Sequence, residues 1–593
     1  MRVADTFAVY DQASRPAYAY PGAVSIHDGG DPMIPFDCPL RTRLPLLRDF
    51  STLLVLLAIV GGCAETPSQD DLVQGRMAML PFVDESAGAD VAVALEEATA
   101  SATGTVPGAE LVRVSQLDAV SAEDALTGIA AETGASMIVQ GMITRSGDDI
   151  VIEAKVVDPL DVSRRHDLPV ERGPSSDPSM AIGRMASRIA GVAAQHLDSE
   201  NTAPWYYSIP TLEAYHVQKR ADSLFAQNRQ EEALPFLYEA YAIDSMVLRP
   251  LFGATAVNNN RGRGSVGDSL LSFIEARVDR LTDIERYNLR WYRGDPEESL
   301  QAARDAAGLD PLGWTYAVGY RAIRAGYFAE AAEWLGRRTE LEEAGSYWAR
   351  TWPAFRSQYM MALHALNDHD TELSEAQIAR ETFPDAPGWI WNEMRARAAL
   401  GQVDMVRAQL DTATTYIETI TNHWENLEDV ATELMAHGEA EAGQALQEMV
   451  VEHYRSVDNP IQLGDALGFA GRHQEAFSIF VVQDHSASQN PDPLGWLGAA
   501  AAIIGETAQA EDALAQLEAR ADAASGNNLR YQAAIHGALD RCDRAVELYR
   551  EATSAGFTYS QAWGGEWWHR DWETKPVRDN CPNFQSLMEK AGE

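Results

Sequence analysis

The chain has 593 residues, 46% hydrophobic and 8% aromatic, which is enough to fill several buried cores or one long solenoid and too much for wholesale disorder. Acidic residues outnumber basic ones 88 to 47, a formal net charge of -41. Such a surface repels nucleic acid and anionic headgroups, so neither a nucleic-acid partner nor a polybasic membrane contact is expected.

The most apolar stretch is Leu53–Val60, preceded by Arg41, Arg43 and Arg48 and followed by Gly61-Gly62-Cys63. A charged start, a short apolar run and small residues before a cut site describe a secretory signal. About ten apolar residues cannot span a bilayer core, which needs roughly 20. The ending Val60-Gly61-Gly62-Cys63 resembles the bacterial lipobox. That resemblance implies cleavage before Cys63, acylation of its thiol and a lipid anchor in a membrane of the cell envelope. The alternative is a core strand whose cysteine is incidental. Residues 1–62 are then an upstream segment plus signal peptide. Residues 1–32, rich in Gly, Pro, Tyr and Asp, show no periodicity, so Met33 is the expected start. Residues 63–74 read as a polar tether. Ala64 stands where enterobacterial lipoproteins retained at the inner membrane carry Asp, which favours the outer membrane, facing the periplasm.

Residues 75–200 read as a small α/β unit. Strands are predicted at Arg76–Asp84, Glu110–Ser115, Met137–Ile143 and Ile150–Asp158, the last two joined by a turn at Ser146–Asp149. Helices are predicted over 89–101, from a cap at Ser121, and over 180–198 with Met185, Ile189, Val192 and Ala193 on one face. The Met79-Leu80-Pro81-Phe82 strand, Gly134-Ala135, Gln140-Gly141, the Ser146-Gly147-Asp148 turn and Val157-Asp158 resemble the N-terminal domain of TolB and its relatives. The likeness implies a fold and no reaction. It departs where the family carries Asp-Gly after the first strand. Residues 201–210, with Trp205-Tyr206-Tyr207, read as a linker whose aromatics seat it by packing; carbohydrate stacking is the alternative.

From 211 to about 560 the sequence repeats itself. Glu232-Ala233-Leu234 and the stretch through Ser245 recur as Glu298-Ser299-Leu300 and the stretch through Pro311. A Gly-x-x-x-x-Ala spacing recurs at Gly326/Ala331, Gly471/Ala476 and Gly505/Ala510, with weaker copies at Gly401 and at Asp540/Ala545. These copies resemble tetratricopeptide repeats, in which small residues let two antiparallel helices approach and Gly or a polar residue turns the chain between them. At roughly 34 residues per repeat the span holds about ten helix pairs, of which at least eight are expected. The expected fold class is therefore mainly α, a tetratricopeptide-type helical-hairpin solenoid preceded by the TolB-N-like unit. Residues 561–593 resemble the C-terminal tail of such arrays and are expected to cap the last pair. The cluster Trp563, Trp567, Trp568 and Trp572 there is either a binding patch or part of that cap. No C-x-x-C pair exists among the four cysteines, which speaks against a zinc knuckle. In an exported protein Cys542 and Cys581 are expected to pair, closing a loop of about 40 residues for roughly 3–4 kcal/mol. Two free buried thiols are the alternative.

Several catalytic look-alikes sit in the wrong context. Gly262–Gly267 is a literal G-x-G-x-x-G, but no strand precedes it; it reads as an inter-helix loop with Asp268 as a helix cap. His569-Arg570-Asp571 lacks the other kinase motifs. His364 and His369, five apart beside Asp368 and Asp370, read as a solvated turn rather than a metal site, since His-Glu-x-x-His spacing is absent. No enzyme activity, metal or cofactor is expected. The sequence predicts an interaction scaffold or sensor holding a protein or peptide on its concave face. The alternative is a lipoprotein that captures a small molecule or glycan for an outer-membrane transporter.

Overall fold

The computed structural model describes residues 72–84, 89–114, 123–343, 347–384, 386, 388–415, 423–483, 485, 490–555, 557 and 571–584. Cys63 and its apolar run, the cap at Ser121, and Trp563, Trp567 and Trp568 lie outside these residues. Among the described residues no helix is long and apolar enough to cross a membrane.

The N-terminal unit follows from strand alternation. Its elements are β1 (Val73–Met79), β2 (Val83–Asp84), α1 (Ala89–Thr103), β3 (Glu110–Arg113), α2 (Glu123–Thr133), β4 (Ala135–Ser146), β5 (Asp149–Val157), β6 (Arg165–Asp167), β7 (Glu171–Pro174) and α3 (Ser179–Leu197). The sheet runs β3-β1-β4-β5-β6, with β2 beside β4 and β7 beside β5. β1 lies parallel to β3 and β4, and β4 returns antiparallel as β5. Because successive strand side chains point to opposite faces, Met77 and Met79 pack with Leu95 of α1 and Met185 and Ile189 of α3. Ala78 and Leu80 pack on the other side with Leu126 and Ile129 of α2. Gly141 is needed where it stands: a Cβ there would lie 1.9 Å from the Phe82 ring, which covers the β4 backbone. The predicted Arg76–Asp84 strand is divided into β1 and β2, and the two strands the sequence does not predict, β6 and β7, have three and four residues. They are held by backbone pairing, which leaves no hydrophobic period to read.

The array is a succession of antiparallel pairs: α4 (Leu212–Ala226) with α5 (Gln230–Ile243), α6 (Arg249–Asn260) with α7 (Gly264–Glu275), α8 (Asp283–Arg293) with α9 (Pro296–Ala307), and α10 (Thr315–Ala325) with α11 (Phe328–Gly336). Two short helices, α12 (Arg338–Glu343) and α13 (Tyr347–Thr351), interrupt it. It resumes with α14 (Pro353–Ala365) and α15 (His369–Thr382), α16 (Trp389–Ala399) and α17 (Val403–Thr415), and α18 (His423–Ala436) and α19 (Ala440–Ser456). The last pairs are α20 (Pro460–Phe469) with α21 (His473–Phe480), α22 (Asp492–Ile503) with α23 (Thr507–Glu518), and α24 (Gly526–Ala538) with α25 (Cys542–Ser554); α26 (Lys575–Asn580) follows. Among the described residues this makes ten pairs. The alanines of the repeat pattern, Ala233, Ala331, Ala476, Ala510 and Ala545, are fully buried, which lets the paired helices come close. Nine pairs turn through a left-handed residue: Asn228, Gly262, Gly326, Asn367, Gly401, Gly438, Gly471, Gly505 or Asp540. Positive φ is cheap for Gly and tolerable for Asn and Asp, which is why those residue types recur at this position. The exception, α8–α9, turns at Gly294 and is capped by Asp295, whose side chain accepts from the Glu298 N–H at 2.9 Å.

One buried cation joins the two halves. Arg188 of α3, 1% exposed, donates to both carboxylate oxygens of Asp244 after α5 (2.6 and 2.9 Å), to Glu171 of β7 (2.8 Å) and to the Ile209 carbonyl of the linker (3.1 Å). Asp244 also accepts from the Thr211 N–H at 2.9 Å, at the start of α4. Burial disfavours the guanidinium's charge, but Asp244 and Glu171 outweigh it and hold its pKa above the ordinary value. Removing one partner of such a buried pair leaves the others uncompensated, at about 3–5 kcal/mol. We predict that Arg188→Ala lowers the unfolding free energy of the N-terminal half by about that amount and opens residues 198–211 to protease. A loss below about 1 kcal/mol, with no new cleavage, would show that apolar packing alone holds the junction.

Candidate binding surface

Lone helix pairs cannot bury their apolar faces, so they stack, and the stack has an inner wall made by the first helix of each pair. In the C-terminal half α16, α18, α20, α22 and α24 touch one another in that order. A stretch of the chain itself is seated on this wall. Asp571, Trp572, Glu573 and Thr574 are each 3–6% exposed. The Trp572 indole packs on Ala499 and Ala500 of α22 and donates its Nε1–H to Asp465 of α20 at 2.9 Å. Arg530 of α24 donates to Asp571 (3.3 Å) and to Glu573 (3.5 Å), and Tyr549 of α25 meets the Thr574 hydroxyl at 3.0 Å. Trp572 fits because Gly468 of α20 has no side chain: a Cβ there would lie 2.3 Å from the indole.

The seated stretch is fixed from behind. Cys542, at the start of α25, and Cys581, just after α26, are joined as a disulfide with Cα atoms 5.2 Å apart and a sequence separation of 39. The Phe584 ring packs at a tilt on Tyr549 at 5.0 Å, and Val577 of α26 fills the space left by Gly537. Trp572 thus belongs to the terminal cap.

The wall beneath is a pit of carboxyl groups. Burial pushes Asp465 well above the carboxylate range, and Glu428 of α18 and Glu573 add to it. Burial likewise pushes Glu428 up to about 8, although Gln447 donates to it at 2.8 Å. Both groups bind a proton more readily in the folded chain than in the unfolded one. Their contribution to stability is therefore whole below the ordinary carboxyl range and is lost as pH rises through their raised folded-state values, about 8 for Glu428.

The other sequence-singled residues fall as follows. Trp205 stacks on His166 (4.9 Å) and meets His196 edge-on (4.3 Å), and the Tyr207 hydroxyl donates to Asp310 at 2.8 Å. The linker aromatics are packing residues that lay the linker across the starts of α6, α8 and α10: Arg249 lies over the Tyr207 ring, and the Ser208 hydroxyl meets Glu285. Next to them a cleft of about 70 Å³ is lined by Asp198, Tyr215, Lys219, Asp222 and Arg249. It has room for water rather than for a sugar, since ligand pockets run to roughly 300 Å³ and more. Gly262–Gly267 follows a helix, as the sequence implies, but Asp268 does not cap: α7 begins at Gly264, so Asp268 lies inside it. His364 and His369 are not solvated. Asn367 and Asp368 of the turn are exposed, but the two rings point inward and are 2% and 7% exposed, His364 meeting Glu433 of α18 at 3.2 Å. The residues that sequence reasoning missed are Asp465, Arg530 and Glu428, which lie on three different first helices and carry no local pattern that marks them as buried.

No known family profile matches the chain, and no curated protein does. Among solved structures the human IFIT1 dimer with PPP-AAAA is 14% identical, covering 60% of this chain and 98% of its own, at a TM-score of 0.28. The TPR domain of P58(IPK) is 12% identical, covering 64% and 99%, at a TM-score of 0.16. Overlaps that low carry no argument, and the repeat architecture rests on the helix pairs described above.

Gly468→Leu should evict Trp572 and expose α24–α26 to amide exchange while α4–α11 stay protected; unchanged protection of α24–α26 would show that the indole is not what seats the segment. Between pH 5 and pH 9 the melting temperature of the C-terminal half should fall, and fall less in Glu428→Gln; equal falls would mean that Glu428 is already ionised in the folded chain at neutral pH.

Proposed function

We propose that this protein is an interaction scaffold or sensor of the cell envelope, attached to a membrane through a lipid on Cys63. The TolB-N-like unit stands between tether and array, and the inner wall of the helix pairs takes a protein or peptide partner. The observation that carries this reading is the seated segment Asp571–Thr574, a turn leading into α26 that is held by an aromatic anchor and two carboxylates. A wall that holds one such peptide has the chemistry to hold another. The lipobox-like Val60–Cys63 supports the anchor, and the Cys542–Cys581 bridge is in keeping with an oxidising compartment. The net charge of -41 speaks for a partner other than nucleic acid. Ala64 after the cysteine supports the outer membrane.

A photo-crosslinking residue at Glu425, on the inner wall one turn before Glu428, is expected to trap one envelope protein in intact cells. The same residue at Met449 of α19, an exposed second-helix position, should trap none. The Cys63→Ala chain should leave the membrane fraction and lose the adduct. Equal adducts from both positions, or a Cys63→Ala chain still in the membrane fraction, would overturn the respective half of the proposal.

A further inference from the structure

Three helix pairs meet at a point away from the seated segment. His364 lies in the last turn of α14, His369 opens α15 and Glu372 follows one turn later; Arg395 comes from α16, Glu433 from the last turn of α18, and His437 stands just after α18. Glu372 and Glu433 are completely buried, and His364 and His369 nearly so. Two buried carboxylates meet three imidazoles and one guanidinium here, and carboxylates held away from water are costly unless cations compensate them.

The donor atoms converge on one point. The Glu372 Oε2 atom is 2.8 Å from His364 Nδ1 and 3.1 Å from His369 Nδ1, and one ligand atom from each of the three residues lies within 4.8 Å of the others. A tetrahedral ion with bonds of about 2.0–2.1 Å separates its ligand atoms by roughly 3.3 Å, so a small outward movement of the two rings admits it. The surroundings match what orients metal ligands. The far nitrogen of His364 faces Glu433 Oε1 at 3.2 Å, the carboxylate–imidazole pairing that fixes a ligating tautomer. Arg395 Nη2 takes the other Glu372 oxygen at 3.2 Å, which leaves Oε2 for the centre. The far side of the His369 ring carries an unsatisfied polar atom. The Nε2 of His369 is buried and meets no hydrogen-bond partner among the described residues, although buried polar atoms are ordinarily satisfied. The His437 ring lies edge-on to that imidazole at 5.1 Å, is partly exposed and pairs with Glu433 at 3.3 Å.

We propose that His364, His369 and Glu372 form a buried structural site for a first-row divalent cation, zinc above all, backed by Glu433 and Arg395. Two imidazoles and one carboxylate suit zinc's preference for nitrogen and oxygen donors, and the burial suits a structural rather than a catalytic ion. The ion would tie the α14–α15 turn to α18, locking neighbouring pairs in the middle of the solenoid.

The test uses the full chain, stripped with chelator, reloaded with zinc or cobalt(II) chloride and passed through gel filtration to remove ions held loosely by the acidic surface. One equivalent of metal by mass spectrometry, a visible cobalt d–d band and a raised melting temperature are expected. His369→Gln, close in size, should retain the fold by circular dichroism and lose the equivalent. Glu433→Gln should weaken zinc binding by roughly 10–100-fold. No retained metal and no thermal shift in the wild-type chain would overturn the proposal and leave an imidazolium on His364 bridging Glu372 and Glu433. Undiminished uptake by His369→Gln would overturn it equally, by placing the ion elsewhere.

Discussion

The Arg188 guanidinium is the constraint on which the relation between the two halves depends. Its four hydrogen bonds reach a strand, a linker carbonyl and the end of a repeat helix. Apolar packing alone would permit the sheet unit to slide on α4, because hydrophobic contact is non-directional. A planar fork held bidentately by Asp244 permits one arrangement. That arrangement sets where the linker leaves α3, and so where Tyr207 and Ser208 meet Asp310 and Glu285 across successive pairs. The register of the first pairs is thereby tied to the sheet.

A solenoid has two open ends, and each end exposes an apolar helix face unless something covers it. Here α3 covers the first pair, and α26 with the seated segment covers the last. The C-terminal cover does more than terminate the stack, because it reaches back to α20, two pairs earlier, through Trp572. The disulfide acts on the same element from the other side, and its effect in the chain-entropy account is to restrict the unfolded tail.

Much of this was legible in the sequence, and the limits have physical causes. The helix pairs are readable because turns that need positive φ select Gly, Asn or Asp, and close approach selects Ala; Gly326/Ala331 and Gly505/Ala510 carry both marks. The long strands β1, β4 and β5 are readable from alternation. The strands β6 and β7 are not, since pairing through backbone leaves no side-chain period. The acidic pit and the burial of the histidine cluster are not legible for a different reason. Glu428, Asp465 and Glu573 lie far apart in sequence, as do His364 and Glu433, and only the superhelix brings them together. His364 and His369 illustrate the hazard: beside Asp368 and Asp370 they look like a polar turn, yet the next pairs cover them.

The self-occupied wall also limits what a partner can be. A segment tethered to its own wall is present at an effective concentration of about millimolar or higher, so an external peptide competing for the same pocket must overcome that advantage. The seat itself is selective in sign. Arg530 is paired by two acidic side chains, and the indole N–H donates to a carboxyl that burial keeps towards its neutral form. A basic peptide would bring a cation to Arg530 and strip it of both partners, which is repulsive in a site of low dielectric. A ligand for this stretch of wall must therefore reproduce an aromatic group flanked by acids, in spite of the strongly acidic surface of the whole chain. Long-range attraction and short-range fit thus select opposite charges, and a partner satisfies both only if its acids are confined to the short motif that enters the groove.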